Sequence, residues 1–287
     1  MKITACITTM NRPQELDECL KGLWSSAYLP HAVVVSDNST DPEVQRSNQE
    51  VVQRYAQTVY LEGPHTGVTA NRNNALHAAP QDSDRIIFLA DDIQVSPNFF
   101  ERAVQCYQNL PPGLDEKTIL TGDNRNEFSP PDIGPLGVNF RGYFCPWKPG
   151  IPQVVNLYAS LFPKKFLDQE EWDEQIFLGQ EDIELSLRAL RCGYQIIYEP
   201  TLKVFDTRFQ KTTLPSAEQG KMQSYEIYVA ASRLYIGIKR YKHLFPDPIK
   251  LLIFRVVYYL HMTLYLLRRK SLQSWPDIIK ISNVNRL

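Results

Sequence analysis

The first 90 residues alternate between short apolar runs and longer polar stretches, and this alternation constrains the fold more than any other feature. The apolar runs are rich in β-branched and aromatic residues, whereas the stretches between them have the composition of helices. Such alternation predicts βαβ units, and hence an α/β fold with a mainly parallel central sheet flanked by helices. The runs lie at 3–8, 32–35, 58–61 and 86–89, and the helical stretches near 13–26, 42–56 and 68–79.

Polar side chains follow directly after three of these runs. The carboxyl ends of parallel strands meet at one edge of a sheet, and ligands bind beyond that edge. The sequence therefore predicts that these side chains converge on one ligand site. They are Thr8, Asn11, Arg12, Asp37, Asn38, Asp91 and Asp92.

Residues 111–152 have a different character, with two Pro-Pro pairs, several glycines and an aromatic-rich run at 140–147. Turn formers at this density predict a long functional loop region rather than a regular layer, and we assign it to acceptor recognition. A strand at 156–162, a helix at 181–191 and a strand at 195–198 are predicted to follow. We expect the sheet to end near Phe205.

Composition excludes several classes of protein. The net charge of -1 over 287 residues gives no overall field for nucleic acid, and 43% hydrophobic content is enough for a large core. The five cysteines lie far apart in the sequence, so neither a zinc knuckle nor a disulfide framework is indicated, and a reducing compartment is expected. The amino terminus has no long apolar region with a cleavage site, so we expect no secretory signal.

The last 70 residues predict two helices, at about 217–241 and 248–270. The stretch 251–267 is strongly apolar, but Arg255 and His261 interrupt it. It is short of the roughly 20 apolar residues of a spanning helix, and it better fits a helix lying in the membrane interface. A core helix or a dimer contact is an equal alternative. Basic residues flank the stretch at Lys250, Arg268, Arg269 and Lys270.

Two pairs of acidic residues are candidates for chemistry. Asp91 and Asp92 end an apolar run, and hard carboxylate oxygens suit a divalent Mg or Mn ion that also binds substrate phosphates. Glu181 and Asp182 open a predicted helix, where Asp182 can act as a general base. Each pair also has a purely structural alternative, as turn residues or helix caps.

Five segments, taken in order, resemble the signature set of the family 2 inverting glycosyltransferases, including rhamnosyltransferase-like members. The resemblance covers about residues 1–210, and a Tyr-Glu-Pro run at 198–200 extends it. Five ordered matches are far more specific than any single one. The segments are ITTMNR at 7–12, VSDNSTD at 35–41, GVTANRN at 67–73, FLADD at 88–92 and GQEDIELSLR at 179–188.

The resemblance implies roles for these residues. Thr8 and Asp37 would bind the base and ribose of a nucleotide-sugar donor, and Arg72 would face the nucleotide or its phosphates. Asp182 would be the catalytic base, with Glu181 orienting it or the acceptor. The remaining residues implied on the donor side are Asn11, Arg12, Asn38 and Asp91.

The resemblance also implies a divalent metal, Mn or Mg, with Asp92 as its main ligand. Ala90 replaces the first acid of the family's Asp-X-Asp motif, so Asp91 can contribute instead. Asp206 stands where many relatives have a histidine, and it is equally compatible with a metal ligand and with a solvated turn residue. Arg72 has the alternative of an ordinary ion pair.

The implied fold is the A-type glycosyltransferase fold, a Rossmann-like arrangement with a catalytic domain at 1–210 and a helical extension at 211–287. Residues 1–110 would bind nucleotide and 111–210 acceptor. The implied reaction moves a sugar from UDP, or from dTDP as in dTDP-rhamnose, to a hydroxyl group of a glycan or lipid-linked acceptor in cell-envelope polysaccharide synthesis. The expected location is cytoplasmic, with peripheral contact at the inner face of the membrane.

Two other functions remain as alternatives. The departures at Ala90 and Asp206 are compatible with a nucleotide-sugar-binding protein that has lost catalysis. A nucleotidyltransferase also combines a parallel sheet, a metal and a nucleotide, but it usually needs a glycine-rich phosphate loop near the amino terminus. Residues 7–13 contain no glycine.

Overall fold

The structure is a computed structural model that describes residues 1–130, 133–207 and 220–287. Within these ranges the chain forms one large mixed sheet, one small sheet and helices on both faces of the large sheet. The predicted boundary between a catalytic domain and a helical extension, at 210, lies outside the described residues. So does the predicted start of a helix near 217.

The strands and helices of the first 110 residues follow the predicted alternation. Their bounds extend the predicted strands by one or two residues and shorten the predicted helices by two or three. Two short elements after the fourth strand were not predicted. In chain order the elements are β1 (Ile3–Thr9), α1 (Pro13–Trp24), β2 (Ala32–Asp37), α2 (Pro42–Gln53), β3 (Thr58–Glu62), α3 (Val68–His77), β4 (Arg85–Ala90), β5 (Ile93–Val95) and α4 (Phe99–Gln108).

The later elements complete both sheets and add a helical segment. In chain order they are β6 (Thr118–Arg125), β7 (Leu136–Val138), β8 (Phe144–Pro146), β9 (Gln153–Val154), β10 (Ser160–Pro163), α5 (Lys164–Leu167), α6 (Glu181–Arg191), β11 (Gln195–Asp206), α7 (Ser224–Lys239), α8 (Pro248–Arg268) and α9 (Trp275–Ile281).

The large sheet has the strand order β3-β2-β1-β4-β10-β6-β11-β5 among the described residues. Its pairs are parallel except at β10, which runs antiparallel to both neighbours, and at β5, which runs antiparallel to β11. Apolar side chains of α1, α2 and α4 pack on one face, and those of α3, α5 and α6 on the other. This arrangement confirms the predicted α/β fold with a mainly parallel sheet.

The register of the central strands brings the predicted site residues to one edge. Thr9 of β1 lies opposite Asp37 of β2, and Thr8 lies opposite Ala90 of β4. The loops that leave these strand ends therefore start side by side. The strand ends therefore converge as predicted, and the binding of a ligand at this edge stays a prediction.

The prediction of a long loop region in place of a regular layer at 111–152 is wrong. β6 is an inner strand of the large sheet, between β10 and β11, and β7 pairs with β8 and β9 in the small sheet. β6 carries buried polar residues such as Thr121 and Asp123. Its sequence therefore lacks the apolar run by which a buried strand is recognised.

The carboxyl-terminal helices pack on the α/β layer and on one another. Lys239 of α7 lies 2.5 Å from Asp173 and 2.6 Å from Glu184 of α6, so α7 is tied to the layer by partly buried ion pairs. A narrow stripe of α8 is buried. It consists of Phe254, Tyr258, Met262 and Leu266. α8 is also long and apolar enough to cross a membrane, and only 22% of that stretch is buried against the rest of the protein.

Candidate active site

Asp37 ends β2 and is held by a complete set of hydrogen bonds. Its Oδ1 accepts from the backbone N–H of Ser39 at 2.8 Å and from the Ser39 hydroxyl at 2.5 Å. Its Oδ2 accepts from Asn48 and from the Tyr60 hydroxyl, each at 2.9 Å. Asp37 is fully buried, so these bonds hold its carboxylate in a fixed position beneath the site.

The other predicted donor-side residues of β1 and β2 surround this carboxylate. The backbone N–H of Asn38 donates to the Thr9 carbonyl at 2.9 Å, and Asn38 Oδ1 accepts from the N–H of His65 at 3.0 Å. Asn11 has a positive φ of 61°, and its N–H donates to the Ser39 hydroxyl at 2.8 Å. Thr8 lies buried beside them, one residue before the end of β1.

The acidic pair at the end of β4 is bound to Arg12. The Arg12 guanidinium donates to Asp91 at 3.1 Å and to Asp92 at 2.6 Å, and the Thr9 hydroxyl donates to Asp91 at 2.7 Å. Burial raises the pKa of Asp91 to about 6, although the Thr9 hydrogen bond and the charge of Arg12 act against it. Asp92 is less deeply buried than Asp91 and is the more accessible carboxylate.

Asp206 lies next to this pair. It ends β11 and is opposite Ile93 in the antiparallel pairing with β5. Both the N–H and the hydroxyl of Thr207 donate to the Asp92 carbonyl at 3.0 Å. The structure thus brings Asp92 and Asp206, the two predicted metal ligands, to neighbouring positions.

These residues fit a divalent ion that shares its coordination with a substrate. No group of three His, Cys, Asp or Glu side chains suited to a metal occurs in the described part of the chain. Mg²⁺ is commonly held by one or two carboxylates together with substrate phosphates. Asp92 and Asp206 supply hard oxygen donors of that kind, so the donor chemistry fits Mg²⁺ or Mn²⁺.

Asp182 stands at the start of α6, as the sequence predicted. The preceding Gly179 and Gln180 both have positive φ, 92° and 63°, and this uncommon backbone turns the chain sharply into the helix. Asp182 Oδ1 accepts only a local bond, from the N–H of Ile183 at 3.0 Å. Burial, reinforced by the charge of Glu181, raises the pKa of Asp182 to about 7.

Glu181 points away from solvent and pairs with Arg72. Arg72 Nη1 lies 2.6 Å from Glu181 Oε1, and the guanidinium carbon lies 4.9 Å from the centre of the Trp172 ring. Arg72 is 1% exposed, and although burial opposes its charge, Glu181 raises the pKa of Arg72. The second carboxylate oxygen, Glu181 Oε2, is buried without a hydrogen-bond partner.

The loop before α6 is clamped between α3 and α7. The Thr69 hydroxyl donates to the Ile176 carbonyl at 2.6 Å, and the Val68 N–H donates to the Phe177 carbonyl at 2.8 Å. From the other side, the Ser232 hydroxyl of α7 donates to the Leu178 carbonyl at 3.0 Å. The position of Asp182 therefore depends on α7 as well as on the α/β layer.

Two tyrosines near the carboxylates were missed by the sequence analysis. The charges of Arg72, Glu181, Asp92 and Asp182 all act on the buried Tyr158 hydroxyl, whose pKa is raised chiefly by burial. Tyr158 therefore lies within electrostatic reach of Asp92 and of the α6 pair. Tyr225 of α7 is 48% exposed and is acted on by Glu181 and Asp182. Neither tyrosine belongs to a motif, so the sequence carries no signal for them.

The predicted site residues fall into two groups. The donor-side group follows β1, β2, β4 and β11, and the other group is the α6 pair with Arg72. Tyr158 bridges them electrostatically. Arg72 is predicted on the donor side. In the structure its ion-pair partner is Glu181, a carboxylate of the second group. Its predicted contact with the nucleotide remains a prediction.

A comparison with protein families agrees with this architecture. Residues 4–144 match the family described as Glycosyl transferase family 2. The matched range contains every donor-side residue named above except Asp206, and it ends before α6. A comparison with curated proteins found no match by sequence.

Solved structures share the fold. S. aureus TarS 1-349 in complex with UDP-GlcNAc has a TM-score of 0.59 at 15% identity, over 98% of this chain and 82% of that one. GalNAc-T7 with UDP, GalNAc and Mn2+ has a TM-score of 0.61 at 14% identity, over 90% and 55%. A longer S. aureus TarS structure matches with a TM-score of 0.54 at 15% identity, over 83% of this chain and 38% of that one. This chain thus spans well under half of the longer TarS, and the likeness confirms the A-type glycosyltransferase fold.

Proposed function

We propose that this chain, whose residues 4–144 match glycosyl transferase family 2, moves a sugar from a nucleotide-diphosphate donor to an acceptor hydroxyl with inversion at the anomeric carbon. The observation that carries the proposal is the placement of Asp182. The pKa of its carboxyl group is raised to about 7, and the charges of Asp182 and Asp92 both act on the Tyr158 hydroxyl, so the proposed base and the proposed metal ligand lie near the same side chain. A general base is most effective when its pKa lies near the working pH.

In the proposed reaction, Asp182 takes the proton of the acceptor hydroxyl. The acceptor oxygen forms a bond to the anomeric carbon as the bond from that carbon to the diphosphate oxygen breaks. The electron pair of the broken bond leaves with the nucleoside diphosphate, so one displacement inverts the centre. Glu181 keeps Asp182 basic through its negative charge, and Arg72 holds Glu181 in place.

UDP is the first choice of nucleotide, with dTDP as the alternative. TarS has been solved with UDP and with UDP-GlcNAc, and GalNAc-T7 with UDP. For this chain, the buried Asp37 carboxylate already accepts four hydrogen bonds, so we propose that it fixes the loops of Asn11 and Asn38 on which the base would lie, with Thr8 beside them. Arg12 and Asp91 complete the proposed donor side.

Asp92 and Asp206 are the proposed holders of Mn²⁺ or Mg²⁺. When bound, the ion would neutralise charge on the leaving diphosphate. The Arg12 guanidinium lies 2.6 Å from Asp92. Arg12 would therefore contact the same diphosphate as the ion. The proposal draws support from the Mn2+ in the GalNAc-T7 structure.

The proposed acceptor is a glycan or a lipid-linked saccharide at the cytoplasmic face of a membrane. Support comes from α8, whose outward face carries a continuous set of exposed apolar side chains. A helix of this kind, with basic residues at its ends, suits the interface between headgroups and acyl chains. The exposed face of α8 comprises Ile249, Leu252, Ile253, Val256, Leu260, Leu264 and Leu267.

The test is a panel of nucleotide sugars with release of free nucleotide as the readout, with and without glycan acceptors and with Mn²⁺ or Mg²⁺. We expect turnover with a UDP- or dTDP-sugar. Asp182→Asn should lower transfer at least about 100-fold, as expected for a lost general base, while the donor still binds. Asp41→Asn, at the exposed cap of α2, is the matched control.

Two results would contradict the proposal. Near wild-type turnover of Asp182→Asn would remove Asp182 from the role of base. Donor binding measured by calorimetry, but no release from any donor with any acceptor, would favour a nucleotide-sugar-binding protein without catalysis.

A further inference from the structure

A second cluster of functional side chains lies outside the active site, where the turn between β7 and β8 meets α7 and α8. Cationic and aromatic residues surround a shallow recess there with a cavity volume of about 10 Å³, enough for about one water molecule. The recess is open to solvent on one side. The basic recess, as it is named here, is lined by Arg141, Tyr143, Arg233, Phe254, Val257, Tyr258 and His261.

Arg233 is the unusual member of the basic recess. It is 6% exposed, and its guanidinium carbon lies 4.1 Å from the centre of the Tyr143 ring. Its buried Nε has no hydrogen-bond partner. No carboxylate of the described residues lies within ion-pair distance of Arg233, whereas Arg72 has one such partner and Arg188 has two. A buried charge is normally paired, so Arg233 lacks the anion that its burial calls for.

The turn that covers Arg233 is rigid. Asn139 Oδ1 accepts from the N–H groups of Arg141 and Tyr143, at 2.9 Å and 3.2 Å. Gly142 has a φ of 82°, and a Cβ at this position would come within 2.9 Å of Arg233 Cγ. Glycine thus allows the turn to lie directly on the arginine, and the recess keeps its shape without a ligand.

A histidine and two further arginines lie at the same place. His261 Nε2 lies 2.8 Å from the Tyr143 hydroxyl. Burial and then the charges of Arg233, Arg141 and Arg268 lower the pKa of His261. Arg141 and Arg268 are both exposed, and neither has a carboxylate within ion-pair distance among the described residues. The local potential is therefore positive and uncompensated.

We propose that the basic recess, together with Arg268, binds the phosphate group of a lipid headgroup. Guanidinium groups suit phosphate because they offer several N–H donors in one plane. Arg141 and Arg268 would reach the phosphate from the solvent side, and Arg233 from beneath. The proposal rests on the membrane contact proposed above for the exposed face of α8.

Continuity with α8 favours a lipid over a free phosphate. Val257, His261, Leu264 and Arg268 follow one another at helical spacing along a single line of α8. Leu264 belongs to the exposed face of α8, while Val257 and His261 line the recess. A phosphate over the mouth of the recess would thus lie at the border of an apolar surface, as a headgroup does in a bilayer.

The test measures binding of the full chain to vesicles of phosphatidylcholine alone and of phosphatidylcholine with phosphatidylglycerol. We expect tighter binding to the anionic vesicles. Arg141→Gln and Arg268→Gln should each reduce that preference about tenfold, the typical loss for one hydrogen bond to a charged group. Arg255→Gln is the matched control, because Arg255 is exposed on the same helix but does not line the recess.

Each outcome decides the proposal. Equal losses for Arg255→Gln and Arg268→Gln would overturn the site and leave only a general attraction of α8 to lipid. No wild-type binding to either vesicle would overturn the site together with the membrane contact. Perturbation of the His261 ring signals by inorganic phosphate, without any preference for anionic vesicles, would overturn the lipid as the source of the phosphate. Nucleotide release by the same variants reports glycosyl transfer separately, since none of the three arginines belongs to the active site.

Discussion

The active site and the basic recess both contain arginines, but they balance the charge differently. In the active site, Arg12 faces Asp91 and Asp92, and Arg72 faces Glu181. In the basic recess, Arg233 is as deeply enclosed but has no carboxylate within ion-pair distance among the described residues. The arginines of the active site are therefore neutralised by carboxylates of the protein, and the recess is suited to an anion from outside.

This difference has a physical basis in the cost of burying charge. Removing an ion from water costs several kcal/mol unless a partner compensates for the lost hydration. The Arg72–Glu181 pair provides that compensation at 2.6 Å, so it stabilises a fixed geometry around Asp182. For Arg233, stacking on Tyr143 offsets only part of the cost.

The largest contrast should appear in stability. Arg72→Met would leave Glu181 buried without its partner, and breaking a buried pair costs about 3–5 kcal/mol in the free energy of unfolding. Arg233→Met removes a cation that has no protein anion and keeps the contact with Tyr143, so we expect a change below about 1 kcal/mol. Urea denaturation of both variants measures this. Equal destabilisation would show that Arg233 is neutralised inside the protein after all.

The next effect concerns the carboxylates beside Arg12. Asp92→Ala should weaken nucleotide binding in Mn²⁺ by at least about tenfold, the lower range for disturbing a metal site, and should change it little without metal. Calorimetry with and without Mn²⁺ measures the difference. Glu101→Ala, an exposed change on α4, serves as control. Similar affinities in both conditions for wild type would show that Arg12 alone balances the diphosphate.

The smallest effect is a displacement of the pH profile. Asp182 acts as a base only when deprotonated, so kcat/KM should rise as pH increases through about 7, the pKa of Asp182. Glu181→Gln removes a negative charge that raises this pKa, so the rise should move to lower pH. Steady-state kinetics from pH 5 to 9 would show the shift. An unchanged profile would mean that Glu181 does not act on Asp182 through its charge, and the exposed Glu18→Gln provides the comparison.

The sequence predicts those elements whose local residue pattern also marks their position in the fold. Strand ends after apolar runs carry Asp37 and Asp92, and α6 begins at Glu181 as the acidic opening indicated. β6 was missed because its buried face includes Thr121 and Asp123, which pair with other polar groups instead of forming an apolar run. β6 is thus a buried strand whose sequence is not apolar.

Long-range pairings account for what the sequence analysis could not find. Arg72 meets Glu181 across 109 positions of the chain, and Tyr143 meets His261 across 118. Periodicity and motif spacing act over a few turns or strands. The predicted roles of the individual site residues therefore remain predictions, although the fold that carries them is confirmed.

Adjacent residues of α7 contact the active-site loop and the basic recess. Ser232 donates to the carbonyl of Leu178 in the loop that leads to Asp182, and Arg233 lies in the basic recess. Successive helical residues point about 100° apart, so an insertion or deletion earlier in α7 would rotate both side chains out of place together. A shortened protein that ends before α7 would likewise lose the hydrogen bond that supports the loop before Asp182. Residues 224–239 thus belong to the smallest unit that can keep the active site intact, whatever becomes of α8.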